Sequence, residues 1–205
     1  MHHNAVTIQR HGDLVNDEHP PLARIIEEEL IDYRIRSHFY HPKYVRSLNF
    51  SGNEQVLEFG SGGGCMSRAL AQALHNGGSL TCVDTSQYWI SKVQSRLKPF
   101  TNIEFFTGEI TRMQVPEAKF DAVVIHFVLH DVLPAARSDV MDALAKTLHP
   151  EGVLHIREPA KPGHGMPVSE IRALMRSAGL REIRIGCTRS FRWKWICDGI
   201  FRKSW

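Results

Sequence analysis

Hydrophobic positions along this chain alternate between two periods. Residues 21–40 place Leu22, Ile25, Ile26, Leu30, Tyr33 and Ile35 at helical spacing, with Arg24, Glu27, Glu28, Asp32 and Arg36 largely opposite them, which predicts an amphipathic helix ahead of the core. Residues 55–59 read as a short apolar strand. They are followed by Gly60-Ser61-Gly62-Gly63-Gly64 and a return to helical spacing over 66–75. The alternation continues with strand at 80–83, helix at 87–97 and strand at 103–106. A near-continuous apolar strand comes next at 120–125, then a helix at 135–148 on the Val140, Leu144, Leu148 spacing, and a fifth strand at 152–156. Strands separated by helices imply right-handed crossovers, so the expected fold class is α/β, a doubly wound and mostly parallel sheet.

Past residue 163 the pattern changes. A helix over 168–178 stops at Gly179, and two strand-like stretches, 182–187 and 191–201, follow with only a few residues between them. So short a link holds no helical crossover, which predicts an antiparallel hairpin at the sheet edge and brings the strand count to seven. No internal repeat or linker divides the chain, so 1–205 reads as a single domain, with 1–50 as a helical segment at its start.

Composition agrees with a globular protein. The 205 residues are 42% hydrophobic and 23% charged, with glycine and proline spread as punctuation. A net charge of +3 is too mild to mark a nucleic-acid binder. Locally the balance shifts: Arg184, Arg189, Arg192, Lys194, Arg202 and Lys203 interleave with Phe191, Trp193, Trp195, Phe201 and Trp205. That end suits an anionic partner or peripheral membrane contact, although alternation of core and surface on an edge strand explains its tryptophans equally simply. Cys65, Cys82, Cys187 and Cys197 form no C-x-x-C pair and read as buried free thiols of a reducing compartment. With no uncharged apolar run long enough to cross a bilayer, the expectation is a cytoplasmic protein.

The glycine loop is the chemical centre of the sequence. Between a strand and a helix, glycines let the backbone approach a ligand closely, and the unpaired N–H groups of the helix start attract an anionic group. Gly60, Gly62 and Gly64 place the third glycine at 64, whereas a dinucleotide fingerprint wants it at 65, where Cys65 stands. Asp84 closes the second strand, where a carboxylate accepts from ribose hydroxyls; Glu109 follows the third, and His126-Phe127 end the fourth.

In this order the motifs resemble class I S-adenosylmethionine-dependent methyltransferases, over roughly residues 56–202. The resemblance implies a Rossmann-like seven-stranded sheet and S-adenosyl-L-methionine as cofactor. It assigns Glu58, Gly60, Ser61, Gly62 and Gly64 to the methionine part, Asp84 and Thr85 to the ribose, and Glu109 and Ile110 to the adenine. His126 and Phe127 complete the cofactor-facing edge. Leu148-His149-Pro150-Glu151-Gly152 resembles the family's turn into strand five, with Glu151 where a glycine is common. The chain is similar to small, minimally decorated members acting on metabolites, quinones or lipids, and it lacks the Asn/Asp-Pro-Pro-Tyr/Phe motif of amino-methylating nucleic-acid enzymes. The expected function is methyl transfer to a small-molecule or lipid-like acceptor. The alternatives are a non-catalytic cofactor-binding or scaffolding domain and an NAD-linked oxidoreductase.

The sulfonium methyl is already activated, so the protein mainly supplies proximity and a dry site. For an acceptor that must lose a proton, the candidate bases are His130, Asp131 and Glu158, at the ends of strands four and five. Each has a plainer reading: Asp131 as a helix start and Glu158 as a solvated strand end. His126 and His130 stand four apart, but no H-E-x-x-H glutamate or nearby cysteine accompanies them, so no metal is expected. Tyr33, Phe39 and Tyr40 are candidate lid residues. The stretch 159–167, rich in proline and glycine, is expected to be a functional loop near the acceptor.

Overall fold

The computed structural model describes residues 37–161, 164–190 and 194–204. Most of the predicted first helix, with Tyr33, and also Trp193 and Trp205, lie outside them. The described residues fall into two compact units, one running up to Gly108 and one beginning at Glu109.

The first unit opens with helix α1 (Ser37–Leu48), which extends past the predicted end at 40 and carries Pro42 inside it. His41, Tyr44 and Val45, spaced i, i+3, i+4, are its buried side, while Phe39 is 76% exposed. Strand β1 (Gln55–Phe59), strand β2 (Ser79–Asp84) and strand β3 (Ile103–Thr107) run parallel in the order β3-β2-β1. Val56, Leu57, Leu80, Cys82 and Val83 are fully buried, as expected of strands covered on both faces. Helix α2 (Cys65–Ala73) leads back from β1, and α1 packs on it. Helix α3 (Gln87–Arg96) starts where the Ser86 hydroxyl accepts the Trp89 N–H at 3.4 Å, a side-chain N-cap. Its Ile90 and Val93, with Leu97 beyond the helix end, pack on Phe100, Ile103 and Phe105. Truncating Leu97 to alanine there costs about 2–5 kcal/mol.

The second unit holds strand β4 (Phe120–His126), strand β5 (Leu148–Lys161), strand β7 (Leu180–Ser190) and strand β8 (Lys194–Lys203), in the order β4-β5-β8-β7. β4 and β5 are parallel, whereas β8 runs antiparallel to both β5 and β7, so the predicted hairpin is present and continues the sheet through β8. Helix α4 (Arg137–Thr147) buries Val140, Met141 and Leu144. Helix α5 (Val168–Ser177) buries Ile171 and Met175 and ends at Gly179, whose φ of 71° is the left-handed C-terminal position glycine favours.

Two expectations are corrected here. The stretch 159–167 is not simply a loop: residues up to Lys161 continue β5, and a two-residue strand β6 (His164–Gly165) folds back on it antiparallel. Nor are all four cysteines free. Cys187 and Cys197 face each other across the β7–β8 ladder with Cα atoms 4.0 Å apart and form a disulfide, leaving Cys65 and Cys82 as buried thiols. Direct opposition on one sheet face brings their sulfurs together, a consequence of register that residue spacing alone does not display.

Candidate functional site

In the first unit the site is built on the turn out of β1. Gly60, Gly62 and Gly64 have φ of 77°, 47° and 84°, the region that costs an L side chain energy and a glycine none. Gly60 and Ser61 both direct their N–H groups at the Val83 carbonyl (2.7 and 3.3 Å), tying the loop to the end of β2. Asp84, 3% exposed, accepts from the Gly62 N–H at 2.8 Å through one oxygen and from the Ser86 N–H at 2.9 Å through the other. Its carboxylate therefore shapes the loop as well as standing where the resemblance puts the ribose. Thr85 follows it, half-buried. Gly64 has a packing reason of its own, because a Cβ there would come within 2.2 Å of Val93 Cγ2. From the far side Arg96 donates to the Gly63 carbonyl at 2.7 Å. Sequence reasoning missed Arg96, whose only signal is a basic residue in the last turn of α3.

Glu58 lies beneath this loop, 2% exposed, paired in register with Cys82, whose thiol donates to its carboxyl at 3.4 Å. Burial pushes the Glu58 carboxyl up to about 7; the Ser67 and Cys82 side chains pull it down, and the Asp84 charge adds to the rise. The Cys82 thiol is pushed far up by burial and by the Glu58 charge, which keeps it an unreactive neutral group.

The second unit brings the three candidate bases together. Glu158 is fully buried, which overturns its reading as a solvated strand end. One of its oxygens accepts from the Val128 and Leu129 N–H groups at 3.0 and 2.7 Å, and the other meets His130 Nδ1 at 2.6 Å. His130 Nε2 lies 3.4 Å from an Asp131 oxygen. Asp131 belongs to a 3₁₀ turn (Leu129–Asp131), and its side chain turns to the histidine. Burial would depress the His130 pKa, but the Glu158 hydrogen bond and charge, helped by Asp131, outweigh burial and the Arg137 charge and leave it raised. Arg137 is a second missed residue. It is 7% exposed and donates to the His130 carbonyl at 2.8 Å and the Val132 carbonyl at 2.9 Å, while Glu170 holds its other end at 2.5 Å.

The remaining cofactor candidates of this unit sit around the ends of loops. Phe127 has φ 58°, a costly angle for an aromatic residue, and its N–H donates to the Arg157 carbonyl at 2.8 Å; its ring stacks edge-on to His126 at 4.5 Å. Glu109 pairs with Arg112 at 3.0 Å, and Ile110 is 4% exposed.

The first unit fits a nucleoside-bearing cofactor by an observation independent of motif: the Ser61 hydroxyl, 5% exposed at the centre of the glycine turn, has no hydrogen-bond partner among the described residues. A buried polar atom left unpaired costs about 1–3 kcal/mol, and a bound ligand's polar group removes that cost. Strand, glycine turn, helix and the acid after β2 thus define a Rossmann-like cofactor-binding protein.

The comparisons narrow the class. Residues 56–152 match the model described as a methyltransferase domain. The chain is 30% identical over 119 residues to a demethylmenaquinone methyltransferase of Tropheryma whipplei, covering 57% of this chain and 46% of that protein. It is 27% identical over 109 residues to a carboxy-S-adenosyl-L-methionine synthase of Hydrogenovibrio crunogenus, covering 52% and 43%. The chain thus spans less than half the length of these curated relatives. The crystal structure of the N-methyltransferase NodS from Bradyrhizobium japonicum, with S-adenosyl-L-homocysteine, shares the fold at a TM-score of 0.69 and 22% identity, covering 89% of this chain and 98% of that one. Over residues 56–152 the chain thus carries a match to a methyltransferase domain, and the expected Rossmann-like fold, mostly parallel with an antiparallel C-terminal hairpin, is the one observed.

Proposed function

We propose that this protein transfers the methyl group of S-adenosyl-L-methionine to a small-molecule or lipid-like acceptor. The observation that carries the reading is the glycine turn inside the matched domain, with its buried and unpaired Ser61 hydroxyl. Within the matched domain, Glu58, the turn from Gly60 to Gly64, Asp84 and Thr85 hold the methionine and ribose parts of the cofactor. The chain is read as one methyltransferase domain, supported by the unbroken family match over 56–152, with residues 1–50 proposed as its lid segment. Exposed Phe39 and Tyr40 suit that lid.

When bound, the cofactor supplies a methyl group already activated on a sulfonium. The chain's own contribution to an acceptor that must lose a proton is His130. Its Nδ1–H donates to Glu158, which fixes the ring and leaves Nε2 to take the proton. The imidazolium so formed is stabilised by Glu158 and by Asp131. Glu158 is accordingly a positioning residue, oriented in turn by the Val128 and Leu129 amides.

Among the described residues no helix is long and apolar enough to cross a membrane. A cytoplasmic location belongs to the same proposal. Cys65 and Cys82 stay reduced there, and the Cys187–Cys197 bond is then a reversible one. A basic, aromatic C-terminal hairpin supports peripheral contact with an anionic membrane surface; nucleic acid is not the expected acceptor.

Incubation with methyl-labelled S-adenosylmethionine and a metabolite extract, followed by mass spectrometry, tests the activity. A labelled small product is expected. Cofactor binding without any transfer would favour the scaffolding alternative, and binding of NAD in its place would favour the oxidoreductase.

A further inference from the structure

A cationic surface cavity, remote in sequence from the glycine turn, lies where α5 turns into β7. Arg172, Arg176 and Arg181 line a surface cavity of about 420 Å³ whose floor includes Leu180 and Phe201, both nearly fully buried. That volume lies in the range of small-ligand sites. Arg172 is already engaged, donating to both oxygens of Glu182 at 2.8 and 3.2 Å. Among the described residues the side chains of Arg176 and Arg181 make no hydrogen bond or ion pair, although the Arg176 charge, like that of Arg172, acts on Glu182. Three guanidiniums therefore face one carboxylate, and the carboxylate is taken. The C-terminal end of α5 lies here as well, and its negative pole opposes an anion, so any affinity for one comes from the arginines.

We infer that this cavity binds a phosphate group carrying two negative charges, with Arg176 and Arg181 as its direct ligands and Arg172 held in reserve by Glu182. Planar guanidiniums suit the paired oxygens of a phosphate, and three of them against the single Glu182 carboxylate leave an excess of two positive charges to match it. Free phosphate esters and lipid headgroups share this chemistry.

Titration calorimetry of the full chain with inorganic pyrophosphate, and sedimentation with phosphatidylcholine vesicles with and without phosphatidic acid, separate the two sources. Saturable pyrophosphate binding is expected, and Arg176→Gln and Arg181→Gln should each weaken it by about tenfold through loss of a charge-assisted contact. Glu182→Gln should tighten it several-fold by releasing Arg172. Arg189→Gln, further along β7, should change it less than about twofold, and unchanged melting temperatures show that these surface variants fold. Selective capture of phosphatidic acid vesicles, lost in the same two variants, assigns the site to a headgroup. Absence of binding in both assays overturns the inference, as does binding that the Arg176 and Arg181 substitutions leave intact or that Arg189→Gln reduces equally.

Discussion

Replacing Glu58 by glutamine removes a buried titration and should alter stability in a way that depends on pH. In the unfolded chain the carboxyl ionises near its ordinary 4.5, whereas burial keeps it protonated up to about 7 in the folded state. Below pH 4.5 both states hold the proton, and the group contributes no pH dependence. Between 4.5 and 7 the folded state binds more protons than the unfolded, so stability falls as pH rises, and above 7 the loss is complete. At about 1.4 kcal/mol for each pH unit, the loss is about 3 kcal/mol. His155 works in the opposite sense. Burial, with the Arg184 charge adding, lowers its pKa from 6.5 to about 4, so the unfolded state binds more protons between these values and stability rises with pH across them, again by about 3 kcal/mol. From pH 4.5 to 6.5 the two slopes oppose each other, and the wild-type curve is flattened by cancellation. Urea unfolding from pH 4 to 8 separates them. The stability of Glu58→Gln relative to wild type should grow by about 3 kcal/mol between pH 4.5 and 8, while that of His155→Gln should decline between pH 4 and 6.5. A constant gap between Glu58→Gln and wild type across the range refutes the buried-acid reasoning.

Arg96→Ala should leave the fold intact but release the Gly63 carbonyl, weakening S-adenosylmethionine binding by roughly 1 kcal/mol in calorimetry; undiminished affinity would show the loop needs no such brace. Glu151, at φ 72° and exposed, should gain about 0.5–1 kcal/mol on replacement by glycine, read by thermal unfolding, whereas a net loss would mean its 3.5 Å contact with Arg202 outweighs the backbone strain. Reduction of Cys187–Cys197, which are ten residues apart, should cost about 3 kcal/mol of stability by the chain-entropy relation, and the Cys187→Ser, Cys197→Ser double variant should match the reduced protein.

Much of this architecture was legible before any coordinates. Apolar runs such as 120–125 are strands because both faces are covered, and Gly179 ends α5 because only glycine enters the left-handed region freely. The glycine turn and Asp84 were likewise readable, since a close backbone approach leaves its mark in residue type. Other features depend on tertiary pairing, which leaves no such mark. Glu158 before a proline looks like a solvated strand end until the amides of 128 and 129 are brought to it. Arg137 resembles any surface arginine at a helix start. The two cysteines of the hairpin lie at equal distances either side of residue 192, a symmetry that becomes informative only once the ladder is known to be centred there. The turn formers of 159–167 suggest a loop, yet β5 extends into the stretch to pair with β6.

The bracket around residues 128–132 has a consequence for how this protein meets new substrates. Glu158 grips two successive amides from one side, and Arg137 grips two carbonyls from the other, so the segment bearing His130 is clamped at four backbone points. With His130 as the base proposed above, a rigid mount would spare the imidazole any rearrangement during proton transfer and equally deny it any accommodation. On that proposal, acceptors of different shape would have to come to this nitrogen rather than be followed by it. Changes of substrate preference during evolution are then to be sought in the walls around His130, while Glu158 and Arg137 stay put together or are lost together.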